Sequence, residues 1–255
     1  EVTVLIADLH ALLNRKGTME EIQEIAAYNQ RCFEGLGLIG ARYILGSDVQ
    51  LTPEYELSVL KLSQAITLNR ARRSMDEVGR QMESPTVSQM VYPIMQIVDI
   101  ATLDVDAALG GIDQRKIHML AREHLPSIGY QAPVCIHTPI ISGLDGQKMA
   151  SSAGNVISVA DSEEDIRRKI KKAFCPPAVD DNPILQILQH HVFPRTESVT
   201  IRRPPKFGGD REFFAYRDLE QAYAAGEIHP LDLKTTTTEY LIDILAPVHD
   251  YVCNR

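Results

Sequence analysis

The first 45 residues read as a strand, a helix and a second strand, and this order restricts the fold more than any other feature. Residues 2–7 form a short apolar run rich in β-branched side chains, which is typical of a parallel strand covered on both faces. Residues 18–21 form a capping box that begins a helix, and residues 41–45 form the next strand. This order predicts a parallel sheet with right-handed crossovers, whose ligands bind beyond the carboxyl ends of the strands.

The rest of the chain has mostly helical apolar spacing. The pattern predicts helices from residue 52 to about residue 109, from residue 113 and from residue 160, with a strand at residues 134–136. Prolines at 176, 177 and 183 mark a domain boundary, beyond which residues 211–225 and 237–252 predict helices and only residues 199–201 a strand. We therefore expect an α/β domain with a Rossmann-like parallel sheet over residues 1–175, followed by a mostly α-helical domain over residues 176–255.

Composition and charge exclude several classes of protein. The chain of 255 residues is 44% hydrophobic, which is enough for a substantial core, while its apolar runs are too short to cross a bilayer. Four widely spaced cysteines without a CxxC pair indicate reduced thiols rather than a zinc site. A net charge of -8 argues against indiscriminate nucleic-acid binding, so RNA contacts must come from local basic patches such as residues 70–73. Residues 167–172 are a second basic run, for which a solvated helix face is the favoured interpretation.

Residues 143–152, GLDGQKMASS, form the most specific local motif. A glycine-bearing loop with one lysine and two hydroxyls can wrap a polyphosphate, although the residues alone equally allow an ordinary solvated loop. The segment resembles the KMSKS motif of class I aminoacyl-tRNA synthetases, in the KMSSS form of the archaeal and eukaryotic tyrosyl-tRNA synthetases, with Ala150 at its third position. The resemblance implies catalytic roles for Lys148, Ser151 and Ser152, and contacts to ATP from Lys148, Met149 and Ser151.

Tyr92, Gln96 and Asp99 stand at helical spacing, so their polar tips converge on one side of a helix. A buried carboxylate can read a hydroxyl, because a substrate without that hydroxyl leaves the charge unpaired. The residues alone leave open that Asp99 caps a neighbouring helix. The segment is similar to the tyrosine pocket of the same family, which implies that Tyr92 and Gln96 hold the substrate ammonium and that Asp99 accepts the phenolic proton.

The two strand exits, residues 4–11 and 46–51, are similar to further walls of that pocket. Without the resemblance, His10 would be interpreted as a strand-end histidine. With it, the residues implied to contact tyrosine also include Leu5, Ala7, His10, Gln50 and Gln114.

Residues 110–116, GGIDQRK, form the second strong motif. Paired glycines let the backbone approach a nucleoside, and Asp113 can bond ribose hydroxyls or cap the following helix. The motif resembles the family sequence, which implies that ATP contacts Gly110, Gly111 and Asp113. By the same resemblance, the basic residues that face the acceptor end of the tRNA are Arg73, Arg115 and Lys116.

Residues 206–210 and 229–234 resemble the anticodon-binding domain of the family. Single-stranded bases are read by aromatic stacking and by side chains that bond their edges. Read alone, His229-Pro230 is a turn before a capped helix. The resemblance implies that tRNA contacts Phe207, His229 and Asp232.

The resemblance covers the chain nearly end to end and implies a tyrosine–tRNA ligase. Such an enzyme activates L-tyrosine with ATP, accompanied by Mg²⁺, and transfers tyrosine to the 3′ end of tRNA(Tyr). It implies a catalytic domain over residues 1–175, a helical insertion over about residues 50–105 that forms a homodimer, a carboxyl-terminal anticodon-binding domain, a cytoplasmic location and no protein-bound metal. Family members begin with one more strand and helix, which carry the HIGH motif, so we expect the sequence to lack that segment.

Two alternatives remain open at this point. A tryptophanyl-tRNA synthetase shares the fold, and an acid can also accept an indole N–H. A non-catalytic tRNA-binding protein derived from a synthetase is the second alternative.

Overall fold

The computed structural model describes residues 1–78, 84–150 and 153–253. The chain forms two compact units, Glu1–Ile140 and Ile141–Arg255. In the first unit, strand β1 (Thr3–Ile6) pairs in parallel with β2 (Arg42–Leu45). Helices α1 (Asp8–Leu13) and α2 (Met19–Gly35) connect the two strands, and α3 (Gly46–Gln50) begins directly where β2 ends. The predicted strand–helix–strand order is confirmed, and both strand exits lie at one edge of the pair.

Helix α2 begins with the capping box that the sequence predicts. The hydroxyl oxygen of Thr18 accepts a bond from the backbone N–H of Glu21, and the Glu21 carboxylate accepts one from the backbone N–H of Thr18. The two bonds satisfy donors that a helix start leaves unpaired.

Helices α4 (Pro53–Ala65), α5 (Leu68–Ser74) and α6 (Val87–Thr102) follow, with Pro93 inside α6. They pack with α7 (Arg115–His124) around the main core of this unit. Fully buried side chains from α4, α6 and α7, together with Met75 directly after α5, lie there, namely Leu62, Met75, Ile97, Val98 and Ile117. This core holds α6, which carries the predicted substrate residues, in a fixed position.

Strand β3 (Ala107–Gly111) pairs in parallel with β4 (Val134–Thr138). The predicted continuation of a helix to about residue 109 is therefore wrong, because α6 ends at Thr102 and a strand follows. A 3₁₀ turn (Ile112–Gln114) leads from β3 into α7, and a second 3₁₀ turn (Leu125–Ile128) follows α7. Within the described ranges the Rossmann-like parallel strands form two separate pairs, β1–β2 and β3–β4.

The second unit contains helices α8 (Glu163–Lys172), α9 (Pro183–Ile187), α10 (Tyr216–Ala224) and α11 (Pro230–Cys253). A π-helical turn (Leu188–Val192) and two 3₁₀ turns (Phe193–Arg195 and Pro205–Phe207) lie between α9 and α10. Strands β5 (Val199–Ile201) and β6 (Arg211–Phe213) pair in antiparallel. The strand at residues 199–201 is confirmed. The helix predicted over residues 211–225 is present as α10, but its predicted start is wrong, because residues 211–213 form the partner strand of β5.

Helix α8 packs along α11, so residues 141–175 belong to the same compact unit as the carboxyl-terminal helices. The expected division at residues 175 and 176 does not coincide with this packing boundary and stays a prediction about function. No helix in the part of the chain that the structure describes is long and apolar enough to cross a membrane. All four cysteines are free.

Candidate functional site

A buried carboxylate, Asp99, lies at the centre of a group of polar side chains beside the exits of β1 and β2. Its Oδ1 accepts hydrogen bonds from Gln50 Nε2 and from the Tyr55 hydroxyl, each at 2.7 Å. Its Oδ2 lies 3.6 Å from His10 Nε2. All four side chains are at least 95% buried, so the group is shielded from solvent. Helices α1, α3, α4 and α6 each contribute one member.

Gln50 orients His10 as well as Asp99. The Gln50 amide has two hydrogens, and its nitrogen lies 3.3 Å from His10 Nδ1 in addition to its bond to Asp99. Nδ1 therefore acts as an acceptor, and the neutral imidazole carries its proton on Nε2, the nitrogen nearer to Asp99 Oδ2. Burial lowers the pKa of His10, against the opposing effect of the Asp99 charge, so the ring is neutral near pH 7.

Burial raises the pKa of Asp99, while His10, Gln50 and Tyr55 favour its ionised form and oppose that shift. Burial and the Asp99 charge raise the pKa of Tyr55, so Tyr55 keeps its hydroxyl hydrogen and remains a donor. The same hydroxyl lies 2.9 Å from the carbonyl oxygen of Met95. Two donors thus occupy Oδ1 and leave Oδ2 as the oxygen that can accept a bond from a ligand.

Tyr55 is a site residue that the sequence interpretation missed. It lies in the first turn of α4, 44 residues before Asp99, and outside every motif. The local signal near Tyr55 is the helix start at Thr52-Pro53, which predicts α4 but not the contact between Tyr55 and Asp99.

Unpartnered buried atoms gather around the same group. Among the described residues, the buried side-chain atoms without a hydrogen-bond partner are Asp8 Oδ2, His10 Nε2, Gln50 Oε1 and Gln96 Oε1. An unpaired buried polar group costs about 1–3 kcal/mol, so four of them together favour a polar ligand that completes their bonds. Three of the four belong to the residues that the resemblance assigns to tyrosine.

Asp8 joins the two strand exits. Its Oδ1 accepts bonds from the backbone N–H groups of Leu9 and Ser47, the second at 2.8 Å. A Cβ atom at Gly46 would lie 2.8 Å from both Asp8 Oδ1 and Gln50 Oε1, so a larger residue would displace these two side chains. The GSDVQ segment is therefore constrained by packing within the site.

At the other end of the site, two glutamine side chains and one carboxylate form a chain of hydrogen bonds. Gln96 Nε2 donates to Gln114 Oε1 at 3.1 Å, and Gln114 Nε2 donates to Asp113 Oδ2 at 3.0 Å. Tyr92 places its ring edge-on against the His10 ring, with centroids 4.5 Å apart. Tyr92, Gln96 and Asp99 therefore line one side of α6, as their spacing predicts.

Asp113 does not cap α7, which corrects that interpretation of the GGIDQ motif. It lies in the 3₁₀ turn before α7, whose N-cap position is Gln114. A Cβ atom at Gly111 would lie 2.3 Å from Asp113 Oδ1, so the glycine lets the carboxylate approach the backbone. The other predicted wall residues, Leu5 in β1 and Ala7 just after it, are half-buried.

An apolar cavity of about 320 Å³ borders Gln50 and Tyr55, with Leu9, Val59 and Met95 in its wall. Of the predicted tyrosine residues only Gln50 lines it. The unpartnered polar atoms, rather than this cavity, therefore mark the candidate site.

In the second unit, Asn155 organises the loop that resembles KMSKS. Its Nδ2 donates to Asp145 Oδ1 at 2.8 Å and to the carbonyl of Lys148 at 3.2 Å, and its Oδ1 accepts from the backbone N–H of Ala150 at 2.9 Å. Ala150 contributes only its backbone N–H to this bond, so the bond does not depend on a serine side chain at position 150. Lys148 is exposed and Met149 half-buried. The other predicted loop residues, Ser151 and Ser152, lie outside the described residues.

The basic patches differ in how many of their side chains form ion pairs with Asp or Glu. Arg73 and Arg115 are exposed, whereas Lys116 pairs with Glu77 at 3.0 Å and lies 3.8 Å from Asp76. In α8, ion pairs join Arg167 to Glu163 and Glu239, Arg168 to Asp165, and Lys169 to Asp161. These pairs agree with the interpretation of residues 167–172 as a solvated helix face.

The residues predicted to read the anticodon lie in two segments that Arg203 links. Phe207 is 62% exposed in a 3₁₀ turn, and His229 and Asp232 stand at the start of α11. Arg203 donates to the carbonyl of Gly209 beyond that turn and to the carbonyl of Glu227 before α11. In the described ranges, no group of three or more His, Cys, Asp or Glu side chains is arranged to hold a metal ion.

Comparison with known proteins gives matches over nearly the whole chain. Residues 1–246 match the family described as tRNA synthetases class I (W and Y). A tyrosine–tRNA ligase of Methanoculleus marisnigri is 82% identical over 255 residues, which are 100% of this chain and 81% of that protein. One of Methanospirillum hungatei is 72% identical over 252 residues, 99% of this chain and 80% of that protein. The crystal structure of a tyrosyl-tRNA synthetase from Archaeoglobus fulgidus, complexed with L-tyrosine, superposes with a TM-score of 0.95 at 55% identity, over 99% of this chain and 80% of that one.

Proposed function

The chain belongs to the W and Y family of class I tRNA synthetases, and from this premise we propose that it works as a tyrosine–tRNA ligase built around Asp99. The observation that carries the proposal is the cluster of unpartnered buried polar atoms beside that carboxylate. A ligand with a hydroxyl at one end and an ammonium at the other can pair with such a cluster. Tyrosine has both groups.

The choice of tyrosine over tryptophan rests on two observations. The family includes enzymes for both amino acids, but the relatives with 82% and 72% identity are tyrosine–tRNA ligases. Asp99 offers Oδ2 as an acceptor for a phenolic proton, and a site built to bond a hydroxyl strongly rejects the analogue without it. The names of the relatives also oppose a non-catalytic tRNA-binding protein, as does the intact polar set of the pocket.

We assign the remaining site residues by resemblance and by their contacts. Tyr92, Gln96 and Gln114 hold the substrate ammonium, and the Gln96–Gln114–Asp113 hydrogen bonds support this role by linking that end to the nucleoside residues. Gly110, Gly111 and Asp113 bind the nucleoside of ATP. Leu5, Ala7, His10 and Gln50 complete the tyrosine pocket. Lys148, Met149, Ser151 and Ser152 act on the phosphates.

The reaction follows from this arrangement. The tyrosine carboxylate attacks the α-phosphate of ATP, which gives tyrosyl-adenylate and pyrophosphate. A ribose hydroxyl of the tRNA terminal adenosine then attacks the acyl carbon, takes the acyl group and releases AMP. Positioning and charge stabilisation dominate such a transfer, so the protein supplies no nucleophile. Mg²⁺ enters with ATP as part of the substrate, since it binds chiefly through phosphate oxygens and water.

We propose that tRNA(Tyr) contacts Arg73, Arg115 and Lys116 with its acceptor end and Phe207, His229 and Asp232 with its anticodon. A cytoplasmic homodimer that pairs through the helical insertion is also part of the proposal. Exposed leucines in α4 and α5, Leu57, Leu60 and Leu68, support an interface there, because an exposed apolar patch favours a protein partner. Light scattering on the purified enzyme tests the dimer.

Amino-acid-dependent exchange of pyrophosphate into ATP tests the proposed function. Exchange with tyrosine, but not with tryptophan, is expected from the full-length enzyme, followed by charging of tRNA(Tyr). Exchange with tryptophan would favour the first alternative. Binding of tRNA without any exchange would favour the second.

A further inference from the structure

Two histidines form a contact behind the glycine pair of the proposed nucleoside site. His118 is buried in α7, and His137 is the fourth residue of β4, opposite Gly110 in the strand register. His118 Nδ1 lies 3.1 Å from His137 Nε2, and the two rings are tilted by 35°. The proposed chemistry uses neither residue.

A direct bond between two imidazole nitrogens needs one hydrogen and one lone pair. Burial lowers the pKa of His118, and the neighbouring His137 lowers it further, so His118 is neutral near pH 7 and can take part in this bond. The contact joins a helix to a strand that begins 16 residues later in the chain. The contact therefore fixes the distance between α7 and β4, which local structure does not set.

The distance between α7 and β4 matters because His118 packs against Gly110, a proposed ATP-binding residue. A Cβ atom at Gly110 would lie 3.1 Å from His118 Cε1 and 3.3 Å from Gln114 Cβ, so both side chains pack directly against the glycine backbone. Gln114 stands one helical turn before His118 and bonds Asp113. A shift of His118 would therefore move the backbone of Gly110 together with the turn that carries Asp113.

We propose that His118 and His137 are positioning residues for the nucleotide. Their mutual hydrogen bond holds the ends of β3 and β4 against α7, and through Gly110 and Asp113 it sets the place of the ATP nucleoside. Neither ring touches the reacting atoms. The proposal rests on the proposed function, which assigns Gly110, Gly111 and Asp113 to ATP.

The test is a double-mutant cycle on the full-length enzyme, with tyrosine-dependent pyrophosphate exchange as the assay. His118→Leu and His137→Leu each remove the bond, and the double variant removes both partners. Each single change should raise the KM for ATP by roughly 3- to 10-fold, the scale of one net hydrogen bond, and the double variant should lose little more. The kcat should stay within about 2-fold, and the KM for tyrosine should rise less than the KM for ATP, because Gln114 is the one proposed tyrosine residue that lies in the affected turn.

His118→Asn and His137→Gln provide the matched controls, because asparagine and glutamine can place a polar group near Nδ1 and Nε2 of the original rings. They should recover most of the affinity for ATP, and they keep the test available if the leucine variants fold poorly. An unchanged KM for ATP in folded leucine variants would overturn the proposal. So would additive effects in the double variant, or a parallel rise in the KM for tyrosine. Absence of tyrosine-dependent exchange in the wild type would instead refute the proposed function; direct titration of ATP would still test the pair.

Discussion

Replacing Tyr55 by phenylalanine removes one hydroxyl and keeps the buried ring, so it isolates a single hydrogen bond to Asp99 Oδ1. Hydrogen bonds to charged groups contribute about 1.5–3 kcal/mol, which corresponds to roughly 10- to 150-fold in a rate constant. The Tyr55 hydroxyl is shared with the Met95 carbonyl, so we expect the lower part of that range. The kcat/KM for tyrosine should therefore fall by about 10- to 30-fold.

The same change has a pH signature. The Tyr55 bond favours ionised Asp99, so its loss raises the pKa of Asp99 further above the usual carboxyl value. As pH falls, the variant loses its carboxylate earlier than the wild type. Its activity with tyrosine should therefore decline at a higher pH, while phenylalanine, which needs no acceptor, is used relatively better.

Pyrophosphate exchange with tyrosine and with phenylalanine, measured from pH 6 to 9, checks both expectations. Tyr223→Phe is the matched control, since Tyr223 is also buried but donates to the carbonyl of Pro176 in the second unit. That variant should retain the wild-type tyrosine-to-phenylalanine ratio. The reasoning is refuted if Tyr55→Phe keeps the ratio and the pH profile of the wild type.

Four further predictions concern single side chains. Lys148→Ala should slow adenylate formation by roughly 10²- to 10³-fold, the scale for one lost charge partner, and leave tyrosine affinity unchanged. An equal loss of tyrosine affinity and of the rate of adenylate formation would show that the loop has only a structural role. Asn155→Ala should slow the same step, because the backbone at Lys148 and Ala150 loses its anchor, and stopped-flow measurement with tyrosine and ATP would detect it. Asp232→Ala should weaken tRNA charging but not pyrophosphate exchange, whereas a joint loss would indicate an unfolded domain. Asp99→Asn should raise the melting temperature at pH 8. Because burial raises the pKa of Asp99 in the folded state, that state binds more protons than the unfolded state, and Asp99 lowers stability once the pH exceeds its folded pKa. An unchanged or lower melting temperature would contradict this.

The sequence predicted the elements whose signals are local. The strand at residues 2–7 is apolar and rich in β-branched residues, and the capping box at Thr18 is a contact over three residues. Strand β3 was missed because its AALGG sequence has no β-branched residue, and its parallel pairing with β4 decides its conformation. Residues 211–213 have helical spacing but form a strand, because pairing with β5 outweighs that local signal.

The site was predictable where residues share one helix and not where they meet across the fold. The spacing of Tyr92, Gln96 and Asp99 places them on one side of α6, and the structure agrees. Tyr55 and Asn155 carry no motif, and their roles come from contacts that form only after folding. The basic run at residues 167–172 shows the opposite case. Its charge is visible in the sequence, but one of its acidic partners, Glu239, lies 72 residues after Arg167.

The central claim is that Asp99 reads the phenolic hydroxyl of tyrosine, and competition kinetics on Asp99→Ala in the full-length enzyme test it most directly. A site that bonds a hydroxyl can reject the analogue without it by roughly 10⁴- to 10⁵-fold, because the buried acceptor is otherwise left unpaired. Removing the carboxylate removes that penalty, so the tyrosine-to-phenylalanine ratio of kcat/KM should collapse, with a large drop in tyrosine activation. An unchanged ratio would contradict the account and exclude Asp99 from substrate recognition.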